Sequence, residues 1–498
     1  MFYQILGYAP DLDPTQPGIL TDCENLLPTL EGMEAGNSVI TAGFFALGAQ
    51  TAAGTSSPCR GAAVLFQLDE TSRFIAGTDT DLWEGSGDSW TSRTRASGGS
   101  YSLSGEERWR FAQFGNVSLA AVKTDVIQRS TAGAFADIST EPAIKASIIE
   151  TARNFVLAFD TNETTYGDSP DRWWCSALGD EEDWTPNPTV TQATTGRFTD
   201  APGPVTAAKR FGDGVVAFKR VGMWVGIYTG PPDVWSWSFI PGEAGALCQE
   251  AVVDIGTPEN PVLLMMGDSD FYIFDGARPR PIGQPVKETV FSELLISKRN
   301  YVRTLHDKNG DRVFFWYPSI DSVNPDKCVV YHYRANKWGR ANRQIQASVT
   351  YTASGLTYAE LGSAYGTYGD LPEATYGSAF LSVNSPIPAF FDTGNNLVTM
   401  NGPAGNCSVT TGDFGGDDLF TMVDRVRPRF LSSPASGQLT NYYRDNLGDA
   451  LTQDSSSSLS GSKFDLMREA RWHRFLMQFS GRMHMTGINL NAIPAGDE

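Results

Sequence analysis

A short pattern recurs six times between Arg60 and Arg340, and it restricts the fold more than any other feature of the chain. Each copy has an apolar strand, a Gly/Asn/Asp turn, a second apolar or aromatic strand, another turn, and then Trp or another apolar anchor. The copies run Arg73–Arg93 (RFIAGTDTDLWEGSGDSWTSR), Trp109–Ile138, Asn154–Thr185, Arg210–Ile240, Ala251–Gly283 and Tyr301–Arg340. Self-similarity at roughly 40 to 55 residues is the mark of a β-propeller, in which each repeat forms one blade. The expected fold is therefore all-β: a propeller of about six blades over residues 59–345. The fourth copy is the clearest, with Val215–Phe218, Met223–Tyr228 and Val234–Phe239 bounded by Gly212-Asp213-Gly214 and Gly230-Pro231-Pro232. In the sixth, Lys308-Asn309-Gly310 between apolar runs predicts a hairpin.

Two regions lie outside the repeat. Residues 1–58 read as an extended arm, because Pro10, Pro14 and Pro17 interrupt any helix. This arm is expected to pack on the platform or on a neighbouring subunit, and Ala42–Gly54 reads as an apolar loop. Residues 346–498 read as a further β-rich platform or docking domain, with the arm as a candidate to complete it. Arg471–Phe479 alternates polar and apolar residues as a half-buried strand does. Thr452–Ser462 reads as a flexible polar loop, and Tyr365-Gly366, Tyr368-Gly369 and Tyr376-Gly377 form a local repeat. One helix is predicted, over Gln284–Lys298, from the spacing of Val286, Val290, Phe291, Leu294 and Leu295.

With 41% hydrophobic and 19% charged residues, the chain is globular rather than disordered. Its 38 basic and 57 acidic residues give a formal charge of −19. Such a chain is poorly suited to gripping nucleic-acid phosphates, although it suits surrounding DNA that must slide. The six cysteines, Cys23, Cys59, Cys175, Cys248, Cys328 and Cys407, show no CxxC spacing. They read as reduced, buried thiols of a protein made in a cytoplasm, with a disulfide such as Cys23–Cys59 as the alternative. The first residues read as lacking a secretory signal, and no apolar run reaches membrane-spanning length.

The sequence nominates no catalytic, cofactor-binding or metal-binding residue. His306, His332, His473 and His484 lie in no HExxH motif and have no zinc-ligand spacing. There is no GxSxG elbow and no phosphate-binding glycine motif opening a helix. The pairs Asp79/Asp81, Asp268/Asp270 and Asp307/Asp311 read as turn chemistry in preference to calcium sites or glycosidase acid–base pairs. Gly85–Thr91 (GSGDSWT) resembles the Asp-box of sialidase propellers but lacks the glycine after aspartate and reverses the Thr-Trp order. Trp83, Trp90, Trp174, Trp184, Trp224, Trp235 and Trp338 recur at like positions of successive repeats. They therefore read as blade-core anchors rather than sugar- or base-stacking platforms.

Ordered segments over nearly 300 residues resemble one family. Phe74–Thr78 precedes Asp81-Leu82-Trp83, then Trp109–Gly115 and Phe135–Ile138. Phe155-Val156 precedes Trp174–Ala177 and Asp183-Trp184. Tyr228–Pro232 precedes Trp235; Asp275-Gly276 precedes Pro281–Gly283; and Tyr331–Trp338 ends the series, with Arg471–Phe475 to Gly487 matching the final strands. This order resembles the tail nozzle, or tail hub, proteins of short-tailed bacteriophages. The resemblance implies a structural virion protein without catalysis, assembled in the host cytoplasm as the homohexameric distal tail tube. It implies attachment to the head-to-tail adaptor ring, docking of fibres or tailspikes, and passage of double-stranded DNA through the lumen without specific binding. An acidic wall would let DNA move, whereas a basic one would hold it. The alternative is a propeller that binds or cleaves host-surface glycans.

Overall fold

The computed structural model describes residues 1–51, 54–69, 71–138, 141–352 and 386–496. The Tyr-Gly repeat lies outside the described residues. Where the repeat occurs, each copy folds into a four-stranded antiparallel sheet. The first blade pairs Gly61–Phe66, Ser72–Gly77, Leu82–Ser86 and Ser89–Ser92 in order. The fourth pairs Ala207–Phe211, Gly214–Lys219, Gly222–Gly230 and Val234–Ile240. Val215, Val216, Ala217 and Phe218 are all buried, since this strand has a neighbouring blade against both its faces. The expected Asn-Gly hairpin joins Arg303–Asp307 to Arg312–Tyr317.

Seven such sheets follow one another, one more than the six repeats predict. Their first strands are Gly61–Phe66, Arg110–Phe114, Lys145–Ala152, Ala207–Phe211, Val252–Asp254, Arg303–Asp307 and Ala347–Thr352. They neighbour one another in a closed cycle. The seventh blade consists of Ala347–Thr352, Pro386–Phe391, Leu397–Thr399 and, from the other end of the chain, Ile40–Thr41. The arm thus supplies the outermost strand of the last blade before entering the innermost strand of the first. Ring residues therefore extend to Thr399, beyond the boundary expected at 345. Phe44, from the apolar stretch that follows Ile40–Thr41, seals the junction: it packs 5.2 Å from Trp90 and 5.9 Å from Phe74, centroid to centroid.

The platform is built from residues at both chain ends. One of its sheets orders Leu26–Pro28, Met33–Ala35, His484–Gly496, Phe420–Ser432 and Phe464–Ala470, with Phe2–Gln4 also on His484–Gly496. It continues from the sixth blade through Arg340 opposite Leu26. The other orders Gly7–Tyr8, Ile19–Glu24, Cys407–Thr411, Trp472–Ser480, Ser436–Arg444 and Thr452–Ser458. Trp472–Ser480 has the expected alternation, burying Phe475, Met477 and Phe479. Thr452–Ser458, expected as a loop, is instead an exposed edge strand. Its backbone ladder to Ser436–Arg444 and the ion pair Asp454–Arg468 (2.6 Å) hold a polar sequence extended.

A single core joins platform to ring. Leu26, Met33, Val423, Phe464, Phe475 and Met477 cluster with Phe271, Val290, Phe315 and Trp338 of the fifth and sixth blades and their connection. The predicted helix is shorter than expected, at Lys287–Glu293, followed by a 3₁₀ segment at Ile296–Tyr301. Leu294 turns extended and bridges to Ser319, which ends the helix. Asp11 of the arm accepts hydrogen bonds from the Glu288 and Thr289 N–H groups (2.6 and 3.0 Å), so arm and helix fix each other.

The tryptophans act mainly as anchors. Trp90, Trp174, Trp184, Trp224, Trp235 and Trp338 are buried and Trp83 is half-buried. Trp109 lies against Gly77, where a Cβ would sit 2.1 Å from the indole, and donates to the Thr78 carbonyl at 2.8 Å. All six cysteines are buried free thiols; Cys23 and Cys59 are not paired.

Candidate functional site

Of the carboxylates read as turn residues, Asp270 and Asp307 accept turn N–H groups, and Asp81, Asp268 and Asp311 are engaged by side chains. Asp270 accepts from the N–H groups of Phe271 (2.7 Å) and Gly283 (3.0 Å) and pairs with Lys287. Asp307 accepts from the Gly310 N–H at 3.1 Å, and Asp311 accepts the Tyr333 hydroxyl at 2.9 Å. Asp81 accepts the hydroxyls of Thr80 and Thr94, the Asp79 carbonyl accepts the Leu103 N–H, and Asp268 pairs with Arg220 at 2.7 Å. Gly85–Thr91 is the tight hairpin between the last two strands of the first blade, with Trp90 turned inward to donate to the Phe45 carbonyl. Among the described residues, no three His, Cys, Asp or Glu side chains gather to hold a metal ion. Among them too, no helix is long and apolar enough to cross a membrane.

Of the four histidines, His332 and His473 are buried, and His306 and His484 are half-buried. Burial pushes His306, His332 and His473 below the ordinary imidazole range. His473 sits inside the platform with Nε2 3.0 Å from the Thr421 carbonyl.

Two places that no motif nominated stand out. One is the outer face of the platform. On Phe420–Ser432, buried Val423, Val426 and Pro428 alternate with exposed Arg425, Arg427 and Arg429. The arginines therefore form a row with a two-residue period, about 7 Å per step. Arg425 approaches Asp465 at 3.8 Å, while Arg427 and Arg429 have no carboxylate partner among the described residues. Exposed Phe2, Leu431, Met467 and Ile493 flank the row, and the Arg429 guanidinium lies 5.6 Å from the centre of the Phe2 ring. On a chain of charge −19, a basic and apolar face is unlike its surroundings.

The other is one mouth of the propeller channel, where residues at or near the starts of first strands line a cavity of about 230 Å³. Arg108, Arg110, Lys123, Glu106, Glu107 and Asp160 contribute to the lining. Asp160 is held by Lys123 (2.6 Å) and by the Ser147 hydroxyl (2.5 Å); Lys123 also reaches Asp168 at 2.8 Å. Glu106 pairs with Lys298, and Glu107 accepts the Ser104 N–H at 2.7 Å. Beside the cavity, Glu250 lies between Arg110 and Arg303, with Arg303 at 2.6 Å. Burial works to raise the Glu250 carboxyl, but the three arginines around it hold it below the ordinary range. Asp160 is raised, burial outweighing Lys123 and Ser147.

The sequence held signals for both places. At 425–430, RVRPRF alternates basic with apolar residues; the strand is readable there, but its exposed row has meaning only once the face is known to be uncovered. Arg60, Arg108, Arg110 and Arg303 all lie within two residues of the start of a first strand, places that the repeat boundaries mark.

No protein-family model and no curated protein matches the chain. Solved structures similar over much of it include two of YCF48 and one of an arabinanase. YCF48 bound to D1 peptide is 11% identical with a TM-score of 0.38, covering 75% of this chain and 99% of that one. YCF48 from Cyanidioschyzon merolae is 9% identical with a TM-score of 0.34, covering 74% and 98%. The Penicillium chrysogenum alpha-L-arabinanase complexed with arabinobiose is 8% identical with a TM-score of 0.30, covering 57% and 94%. Likeness at this level carries no functional inference.

Proposed function

We propose that this protein is a structural, non-catalytic subunit of a short-tailed bacteriophage tail nozzle, six copies of which surround the passage for the viral genome. The observation that carries this reading is the outer face of the platform. Three arginines in a row, two of them without carboxylate partners among the described residues, and the exposed side chains of Phe2, Leu431, Met467 and Ile493 suit burial against another protein surface. Another copy of this acidic chain supplies opposite charge, and a contact between two different faces repeats around a ring. The shared core of platform and propeller supports the same reading, because a tube wall needs subunits that do not flex at a domain joint. In such a ring the passage lies between subunits, and the propeller forms an outer wall of each one. Partners in this reading are the adaptor ring and fibres or tailspikes, in a virion.

Images of the purified protein test the proposal: rings of six support it, and isolated single propellers count against it. The lumen adds a second test, since a basic lumen, or tight binding of duplex DNA at moderate salt, contradicts the proposed passage without binding.

A second reading, a glycan-binding or glycan-cleaving propeller, is favoured by the carboxylates at the channel mouth. Glycosidases use two carboxyl groups held in different protonation states, and Asp160 is raised. The engagement of Glu106 and Asp160 by lysines counts against free acid–base chemistry there. Release of reducing ends from host-surface polysaccharide, abolished in Asp160→Asn, would establish this second reading in place of the first.

A further inference from the structure

We propose that the channel mouth binds a small oxyanion, a carboxylate or phosphate group, on Arg108 with Arg60 beside it. This inference is independent of the nozzle reading. Arg108 lines the cavity, is 8% exposed and makes no ion pair among the described residues. Its guanidinium lies 4.1 Å from the centre of the Tyr301 ring, and one terminal nitrogen donates to the Glu107 carbonyl at 3.1 Å. Its Nε has no hydrogen-bond partner among the described residues, and the same holds for Nη2 of Arg303 and Nε of Arg60. Arg60 donates to the Gly105 carbonyl at 2.8 Å and likewise has no carboxylate partner.

The other charges around the cavity are largely engaged with one another. Lys298 is taken by Glu106, Lys123 by Asp160 and Asp168, and Arg110 and Arg303 share the single carboxylate of Glu250. Of the carboxylates lining the cavity, Glu107 has no cation partner among the described residues, and its carboxylate is turned to the Ser104 N–H. Two guanidiniums thus remain without an ion-pair partner among the described residues, one of them deeply buried, and Arg108 is left with only the attraction of a Glu250 that Arg110 and Arg303 already share. A buried charge is costly unless paired, and a planar guanidinium fork is matched to carboxylate and phosphate oxygens. Burial, with repulsion from Arg303 and Arg60, outweighs the attraction of Glu250 and pushes Arg108 down to about 10. The cavity holds roughly seven or eight times the liquid volume of one water molecule, enough for an oxyanion and some of its hydration.

Calorimetric titration of the full chain with inorganic phosphate and, separately, with acetate tests this, each against sodium chloride of equal ionic strength. The expected result is saturable binding of at least one anion, weakened tenfold or more by Arg108→Met and threefold or more by Arg60→Gln. Phosphate alone saturating identifies a phosphate site; acetate competing with it identifies a general oxyanion site. In anion-free buffer Arg108→Met is expected to unfold no lower than the parent, because it removes an unpaired buried charge. The proposal is overturned if neither anion binds beyond the chloride control, or if both variants bind as the parent does. If Arg108→Met does not fold, unchanged binding by Arg60→Gln overturns it alone.

Discussion

His473 shows how a single buried side chain ties the platform to pH. It is 1% exposed, and burial lowers its affinity for a proton despite the nearby Thr421 carbonyl. The unfolded chain takes up that proton near the ordinary imidazole value, whereas the folded chain does so only at lower pH. Between those values the unfolded state holds more protons, so stability falls as pH drops below about 6.5. His473→Gln keeps a donor for Thr421 and removes the titration. Urea unfolding at pH 7.5 and 5.5 is expected to show a smaller pH-dependent loss in the variant, by up to about 1.4 kcal/mol per pH unit. An equal loss in both proteins would exclude His473 as a contributor. At this scale the sequence revealed kinds of residue more readily than their roles. The tryptophans read as anchors because they recur in the repeat. Arg108 and Arg303 were not singled out by the sequence, because only ring closure brings distant first strands together.

Among the elements, the seventh blade was the least legible. Its strands come from 40–41, 347–352, 386–391 and 397–399, so no contiguous copy of the repeat exists to be seen. A two-residue strand also has no detectable period. The six contiguous blades and the alternation at 472–480 were legible because hydrophobic pattern and turn chemistry agree locally. The closure strand is held by its short pairing with Leu397–Thr399, the Thr399 hydroxyl donated to the Ile40 carbonyl at 3.3 Å, and the Ala42 N–H donated to the Leu397 carbonyl at 2.9 Å. Ala42→Pro removes that donor. The expected cost is about 1 kcal/mol, with faster hydrogen exchange in the seventh blade than in the fourth. Uniform exchange across the blades would mean that the ring does not depend on this closure.

For the whole molecule, platform and propeller are one body, because residues from both chain ends share the core with the fifth and sixth blades. Fold class was readable from the repeat, but assembly was not, since an interface has no period of its own. The arginine row is where assembly is open to attack. Replacing Arg427 and Arg429 together by glutamate puts like charge against an acidic neighbour, so it should dissociate the assembly while leaving the monomer folded. Sedimentation alongside circular dichroism separates the two effects; an intact assembly in that variant would move the contact elsewhere. The most direct measurement is the native mass of the purified protein at micromolar concentration. The account predicts a single species of six times the 54.1 kDa chain. A species of 54.1 kDa that persists at every concentration would contradict it.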